Sequence, residues 1–93
     1  MILGEQELIN AICAHTAERR GIQPSEVEVQ LEYEEATGFA AELSTGGRNW
    51  YITEAGMLEA VQWYLIVERD MRIYTEQLEL DVEDEMIVRI QED

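Results

Sequence analysis

The stretch from Thr53 to Met71, TEAGMLEAVQWYLIVERDM, decides the fold that this chain is expected to adopt. Apolar residues recur in it at spacings of three and four, which is typical of a helix with one broad apolar face. These residues are Met57, Ala60, Val61, Tyr64, Leu65, Val67 and Met71. The Thr53 hydroxyl is suited to accept a hydrogen bond from a free backbone N–H of the first turn. The negative charge of the Glu54 carboxylate suits the positive end of the helix dipole. At 1.5 Å per residue the helix would be roughly 25–30 Å long, so we expect it to be the central core helix.

A second helix is predicted from Glu5 to Arg20, with acidic residues in its first turn and arginines in its last. Gly21 is placed to cap its end, and Pro24 prevents its continuation. At 100° per residue, one face gathers Leu8, Ile9, Ile12, Cys13 and Thr16, whereas Glu7, Ala11, Ala14, His15 and Glu18 look away.

Between the helices the apolar residues alternate with polar ones, which predicts strands. The predicted strands run from Val27 to Tyr33, from Phe39 to Ser44 and from Arg48 to Ile52. The pair Gly46-Gly47 suits a tight turn between the last two, because glycine tolerates positive φ. The three strands are therefore expected to form an antiparallel meander.

A second hairpin is predicted after the core helix, from the alternation over Gln77 to Val82 and again from Met86 to Gln91. The expected fold class is α+β, an antiparallel sheet with two helices on one face and the order α-β-β-β-α-β-β. Residues 1–93 are expected to form a single domain, in which 74–93 are a C-terminal β-hairpin extension. This hairpin is expected to extend the sheet or to reach across a dimer.

The charge balance restricts the classes of partner. The chain has 21 acidic and 6 basic residues, a formal net charge of -15, and all its basic residues are arginines. Nucleic acids and anionic membranes both require a surplus of cations, so neither is an expected partner. The absence of lysine also excludes Schiff-base chemistry and a P-loop.

The remaining composition favours an intracellular protein. No apolar run approaches the roughly 18–20 residues of a membrane span, and the N-terminal residues lack the pattern of a secretion signal. The single Cys13 cannot form an internal disulfide, whereas small exported domains usually contain several. The expected location is the cytoplasm.

Two stretches, EQELINAICAHTAERRGIQPSEVEVQLEYEEATGFAAEL and TEAGMLEAVQWYL, resemble the YxcD-like family of short uncharacterised proteins from Bacillus-type bacteria. The resemblance covers about residues 1–72. It implies a small cytoplasmic domain of unknown function, and it supplies no catalytic residues. The C-terminal hairpin is expected to depart from the family pattern.

No motif indicates catalysis, a cofactor or a metal site. Cys13 and His15 are two residues apart on a helix and point about 200° from each other, so they cannot form a hydrogen-bonded dyad. A lone histidine does not provide a usual zinc site, and residues 81–85 lack the spacing and central glycine of an EF-hand loop. We therefore expect no catalytic, cofactor-binding or metal-binding residues.

Two alternatives for the function remain open, both based on protein partners. Ile66 projects onto the polar side of the core helix and Trp63 lies at the edge of that side, while Trp50 alternates with polar residues in its strand. These three are interface candidates for a homodimer or another protein, and the alternative is that they pack under the C-terminal hairpin. The alternative function is an acidic inhibitor or nucleic-acid mimic with a basic partner. Its acidic row is Glu26, Glu28, Gln30, Glu32 and Glu34, repeating at about 6.8 Å. A carboxylate-based enzyme is a third hypothesis, without a supporting motif.

Overall fold

The computed structural model describes residues 1–92, and in that range the chain forms two helices and six strands. The helices are α1 (Glu5–Arg20) and α2 (Glu54–Arg69). The strands are β1 (Ile2–Leu3), β2 (Glu28–Glu34), β3 (Gly38–Thr45), β4 (Arg48–Thr53), β5 (Leu78–Val82) and β6 (Met86–Ile90). Short 3₁₀ turns lie at Pro24–Glu26 and Thr75–Gln77. The predicted α+β class and the predicted order of the main elements are confirmed.

The first sheet is the predicted meander, in the order β2-β3-β4 with both pairs antiparallel. Its register places Val29 opposite Leu43 and Leu43 opposite Trp50. These apolar side chains face the helices, because successive residues of a strand point to opposite sides of the sheet. The other side of the sheet carries the polar residues of the alternation.

The C-terminal hairpin belongs to a second antiparallel sheet, in the order β1-β6-β5. Strand β1 pairs with β6, with Ile2 opposite Arg89 and Leu3 opposite Val88. The prediction that the hairpin extends the meander is therefore wrong, and within the chain the hairpin pairs with the N-terminal residues instead. A two-residue strand is too short to show a period in the sequence, so nothing in the pattern predicted that the N-terminal residues would pair with the hairpin.

Both helices contact both sheets, and one core joins them. Helix α1 contacts β2 and β6, whereas α2 contacts β3, β4 and β5. Residues of the two helices and of both sheets share one buried cluster, which includes Leu3, Ile12, Leu43, Leu65 and Val88. The radius of gyration is 12.7 Å, close to the value of about 12 Å expected for this length.

Helix α1 has the predicted bounds, and Gly21 caps it in the left-handed conformation with φ of 68°. Its buried residues include Ala11, which is fully buried, although the helical projection placed Ala11 on the outer side. The reason is that α1 packs against α2 as well as against both sheets, so its buried arc is wider than one apolar stripe. Small side chains such as alanine suit the close approach of two helices.

Helix α2 begins as predicted after Thr53, but no side-chain hydrogen bond from Thr53 caps it. It ends two residues earlier than predicted. Asp70 takes a left-handed conformation with φ of 51°, and its N–H donates to the carbonyl of Ile66 at 3.1 Å. Aspartate tolerates this conformation better than most residues, so the helix ends without a glycine.

Neither helix of the described part of the chain combines the length and the apolar character that crossing a membrane requires.

Candidate protein-interaction surface

The outer side of the β2-β3-β4 sheet carries a group of carboxylates. Along β2 the apolar Val29 and Leu31 pack against the core, so Glu28, Gln30, Glu32 and Glu34 point away from it. On β3, Glu42 lies directly opposite Gln30. The row of acids on β2 is interrupted by the neutral Gln30, and Glu42 of β3 places a carboxylate beside that position.

An exposed tyrosine lies beside these carboxylates. Tyr51 of β4 pairs with Glu42, and its side chain is 60% exposed. The negative charges of Glu32 and then Glu42 raise the pKa of the Tyr51 phenol, since they disfavour a phenolate nearby. We call Glu28, Glu32, Glu34, Glu42 and Tyr51 the acidic sheet face.

Glu26, which the sequence placed in the acidic row, lies outside the strand. It belongs to the 3₁₀ turn before β2, and its carboxylate accepts a hydrogen bond of 2.8 Å from the backbone N–H of Gln23. This is the reciprocal capping arrangement that satisfies free backbone donors at the start of a helical turn. The outward row on β2 therefore begins at Glu28.

Trp50 points to the inner side of the sheet, where it is half-buried against the core. The guanidinium carbon of Arg20, at the end of α1, lies 4.0 Å from the centre of the indole ring. This is the geometry of a cation–π contact. An internal partner thus covers the indole of the first interface candidate.

Trp63 is also half-buried and contacts α1. Its ring centre lies 5.5 Å from that of His15, and the two planes are tilted by 58°. This arrangement is common for aromatic pairs. The contact explains why an indole lies at the edge of the polar side of α2.

Ile66 is the exposed member of the three interface candidates, with 42% of its surface accessible. It lines a shallow groove with Ile73 and Tyr74, and Tyr74 is 71% exposed. Trp50, Trp63 and Ile66 border different concavities of the surface, so the fold does not bring these candidates together.

The cysteine and the histidine occupy separate environments on α1. The Cys13 thiol donates to the carbonyl of Val27 at 3.5 Å, and burial raises the pKa of that thiol. Burial, and then the positive charge of Arg19, lower the pKa of His15 below its usual value. Near neutral pH the thiol is therefore protonated, which is its unreactive form.

Two of the acidic residues at the end of β5 and in the turn that follows it form ion pairs. Arg89 pairs with Asp81 at 3.1 Å and also with Glu83. The backbone N–H of Val82, and then Arg89, lower the pKa of the Asp81 carboxyl. Across residues 1–92, no three His, Cys, Asp or Glu side chains converge in a way that suits a metal ion.

The sequence interpretation missed Glu42 and Tyr51 as members of one surface. Both alternate outward in their own strands, which was visible in the sequence. Their proximity depends on the register of β3 against β4. The residue pattern within a single strand does not specify how that strand is aligned with its neighbour.

Comparison with known proteins agrees with the resemblance found in the sequence. The family described as "Protein of unknown function (DUF2653)" matches residues 1–85. The match extends beyond residue 72 to include β5, so the hairpin departs from the family less than expected. "Uncharacterized protein YxcD" of Bacillus subtilis (strain 168) is 43% identical over 47 residues, which are 50% of this chain and 46% of that protein. The match thus spans about half of each protein. No solved structure matches the chain.

Proposed function

Since the chain belongs to the DUF2653 family of proteins of unknown function, we propose from its own surface that it is a protein-interaction module whose acidic sheet face binds a basic partner protein. The observation that carries this proposal is the position of Tyr51. The side chain is 60% exposed and lies next to carboxylates that raise its pKa. An exposed aromatic ring in a negative field is suited to a cationic side chain of a partner.

The chemistry of this surface favours arginine or lysine on the partner. A guanidinium or ammonium group over a tyrosine ring gains a cation–π contact of about 0.5–1 kcal/mol at an exposed site. The surrounding carboxylates add charge pairs and attract a basic partner before contact is made. Tyrosine and arginine are also among the residues that contribute most to binding at protein interfaces.

The arginines of the chain lie elsewhere, so they do not neutralise this surface. Arg69 pairs with Glu7, and Arg89 pairs with Asp81 and Glu83. Within the β2-β3-β4 sheet, all of which is described, the outward positions hold no basic residue. A basic partner would supply the missing positive charge, whereas the phosphates of nucleic acids or of an anionic membrane would be repelled.

The proposed module belongs in the cytoplasm. Cys13 is a free thiol, and free thiols persist in reducing compartments.

Affinity capture with matched charge variants tests the proposal. Tagged wild-type protein is compared with a face variant, Glu28→Gln, Glu32→Gln and Glu42→Gln, in lysate of the source cell at low and high salt. The control variant, Glu18→Gln, Glu68→Gln and Asp84→Asn, removes the same charge from exposed positions outside the face. The captured proteins are identified by mass spectrometry, and their affinities are then measured with purified components.

We expect a basic protein to be retained at low salt by the wild type and by the control variant, and to be retained less by the face variant. Exposed charge pairs contribute about 0.2–1 kcal/mol each, so the loss of three should weaken binding by roughly 3- to 150-fold. Equal retention by both variants would mean that net charge, rather than this face, attracts the partner, and the proposal would then fail.

Self-association is a second candidate function, favoured by the exposed apolar pair Ile66 and Tyr74. Both side chains border one groove, whose floor includes the buried Ile73. In a symmetric dimer each copy would bury this surface against the other, and such dimers are the commonest oligomers of soluble proteins. This candidate uses α2 and leaves the acidic sheet face free.

Light scattering coupled to size-exclusion chromatography tests this candidate. We expect a dimeric mass for the wild type and a monomeric mass for Ile66→Glu, because burying a carboxylate in place of an apolar side chain opposes association. Val67→Glu is the matched control, since Val67 is 56% exposed and lies about 100° further around the helix. A monomeric wild type, or a dimeric Ile66→Glu variant, would disprove self-association through this surface.

A further inference from the structure

A cleft of about 290 Å³ lies between the C-terminal half of α1, strand β4 and the first half of α2. It opens on the inner side of the sheet, opposite the acidic sheet face, because Trp50 and Ile52 line it while Tyr51 points the other way. Arg19 and Arg20 of α1 also line it. We call this concavity the arginine cleft.

Two guanidinium groups and an indole ring line the arginine cleft. Arg20 lies over the ring of Trp50 at 4.0 Å, which covers one face of its guanidinium and leaves the N–H groups at its edge available. Arg19 approaches the carboxylate of Glu59 only to 3.9 Å, beyond hydrogen-bond distance. Among residues 1–92 neither guanidinium donates a hydrogen bond to a carboxylate, so both have donors for a ligand.

The remainder of the lining is apolar or neutral. Leu43, Ile52 and Ala60 supply aliphatic surface. His15 adds a ring whose pKa is lowered by burial and by Arg19, so it is a neutral hydrogen-bonding group at physiological pH.

A glycine keeps the first turn of α2 close to β4 at one side of the cleft. A Cβ added to Gly56 would lie 3.2 Å from the Cβ of Ile52, which is tight packing against the strand. The start of α2 also carries the positive end of the helix dipole, but the Glu54 carboxylate in the first turn offsets that charge. An anion in the cleft would therefore be held by the two arginines.

We propose that the arginine cleft binds a small organic anion, with one carboxylate or phosphate group on a flat apolar body. The oxyanion is held by the edges of Arg19 and Arg20, which present pairs of N–H donors suited to such groups. The apolar body lies against the aliphatic lining, beside the indole ring whose face Arg20 covers. A volume of about 290 Å³ restricts the ligand to the size of a single substituted ring, since ligand sites start at about 300 Å³.

The ligand carries one anionic group because of the surrounding charges. The Glu59 carboxylate at the rim and the net charge of -15 both oppose a polyanion. The more distant carboxylates act weakly on a single anion in the cleft, because the screening length is only about 8 Å at physiological ionic strength. This site is separate from the acidic sheet face and does not depend on the function proposed for it.

Titrations of the ¹⁵N-labelled full chain, followed by NMR, test the proposal. The probes are benzoate, phenyl phosphate and the uncharged benzamide, each to about 10 mM, a range that detects dissociation constants near 1 mM. The signals are the Trp50 indole N–H and the Gly56 amide. The amide of Gly38, at the start of β3 and outside the cleft lining, is the internal reference. We expect saturable shifts of the first two signals with one or both anions and none with benzamide. The anion with the lower dissociation constant, benzoate or phenyl phosphate, identifies the preferred oxyanion as carboxylate or phosphate.

Arginine variants give the second readout. Arg19→Gln and Arg20→Gln should each weaken anion binding by about tenfold or more, the loss expected for a hydrogen bond to a charged group. Arg72→Gln removes an exposed arginine from outside the cleft and should bind as the wild type does. Absence of saturable shifts with both anions, equal shifts with benzamide, or unchanged affinity in both cleft variants would each overturn the proposal.

Discussion

Replacing Leu3 with alanine tests whether the two-residue strand β1 is part of the core. Leu3 is 1% exposed and belongs to the core cluster, whereas its neighbour Ile2 is 54% exposed on the opposite side of the same strand. Strand β1 is held to β6 by backbone hydrogen bonds, among them the 2.8 Å bond from the Ile90 N–H to the Met1 carbonyl. Alanine at either position keeps these bonds, so the two variants differ only in the side chain removed.

The two substitutions have different expected costs. Leu3→Ala deletes three buried carbons, about 2.4 kcal/mol of transfer free energy at ~0.8 kcal/mol each, and the cavity raises the cost to as much as about 5 kcal/mol. Ile2→Ala also deletes three carbons, but only about half of that surface is buried, so its cost is about 1 kcal/mol. A chain of this length has a total stability of roughly 5–14 kcal/mol, so the first loss is a large fraction of it.

Urea unfolding followed by far-ultraviolet circular dichroism measures both free energies of unfolding. We expect Leu3→Ala to lose at least twice as much stability as Ile2→Ala, with similar denaturant slopes for both. Equal losses would refute the reasoning, because they would mean that Leu3 does not contribute to the core and that β1 does not complete the second sheet.

Four further predictions concern charge and packing. Added salt should raise the melting temperature, since it screens the repulsion within a chain of net charge -15; a constant or falling melting temperature would contradict this. Glu42→Gln should lower the raised pKa of Tyr51 toward the usual 10.0, measured by phenolate absorbance, whereas Glu68→Gln should leave it unchanged. Because the folded state raises this pKa, the wild type should lose stability as the pH rises through 10. Gly56→Ala should fail to give the gain of about 1 kcal/mol usual for a helix interior, since its Cβ would crowd Ile52 at 3.2 Å; a full gain in urea unfolding would disprove that close packing.

The sequence predicted the individual elements well, because their signals are local. The 3.6-residue period of α2, the two-residue period of β2 and β6, and the left-handed cap at Gly21 each arise within a few neighbouring residues. Each of these predictions is confirmed. The end of α2 at Asp70 was missed, since that residue takes a conformation in which glycine is usual.

The candidate site was predicted only in part. The outward acids of β2 followed from alternation, but the contribution of Glu42 and Tyr51 requires the register of three strands. Similarly, Trp50 looked like an exposed interface residue in the sequence, and only the fold places Arg20 over it. The sequence could not predict such contacts, because the two residues are 30 positions apart.

The sequence by itself therefore determined the α+β class, the order of the main elements and the strongly acidic character of the chain. The tertiary structure decided that Leu3 and Val88 join the two ends of the chain in a second sheet, and that Arg19, Arg20 and Trp50 line one cleft. The physical reason is that periodicity and capping act between near neighbours along the chain. The pairing of distant segments instead depends on which apolar surfaces can be buried together, and that is settled only when the whole core is packed.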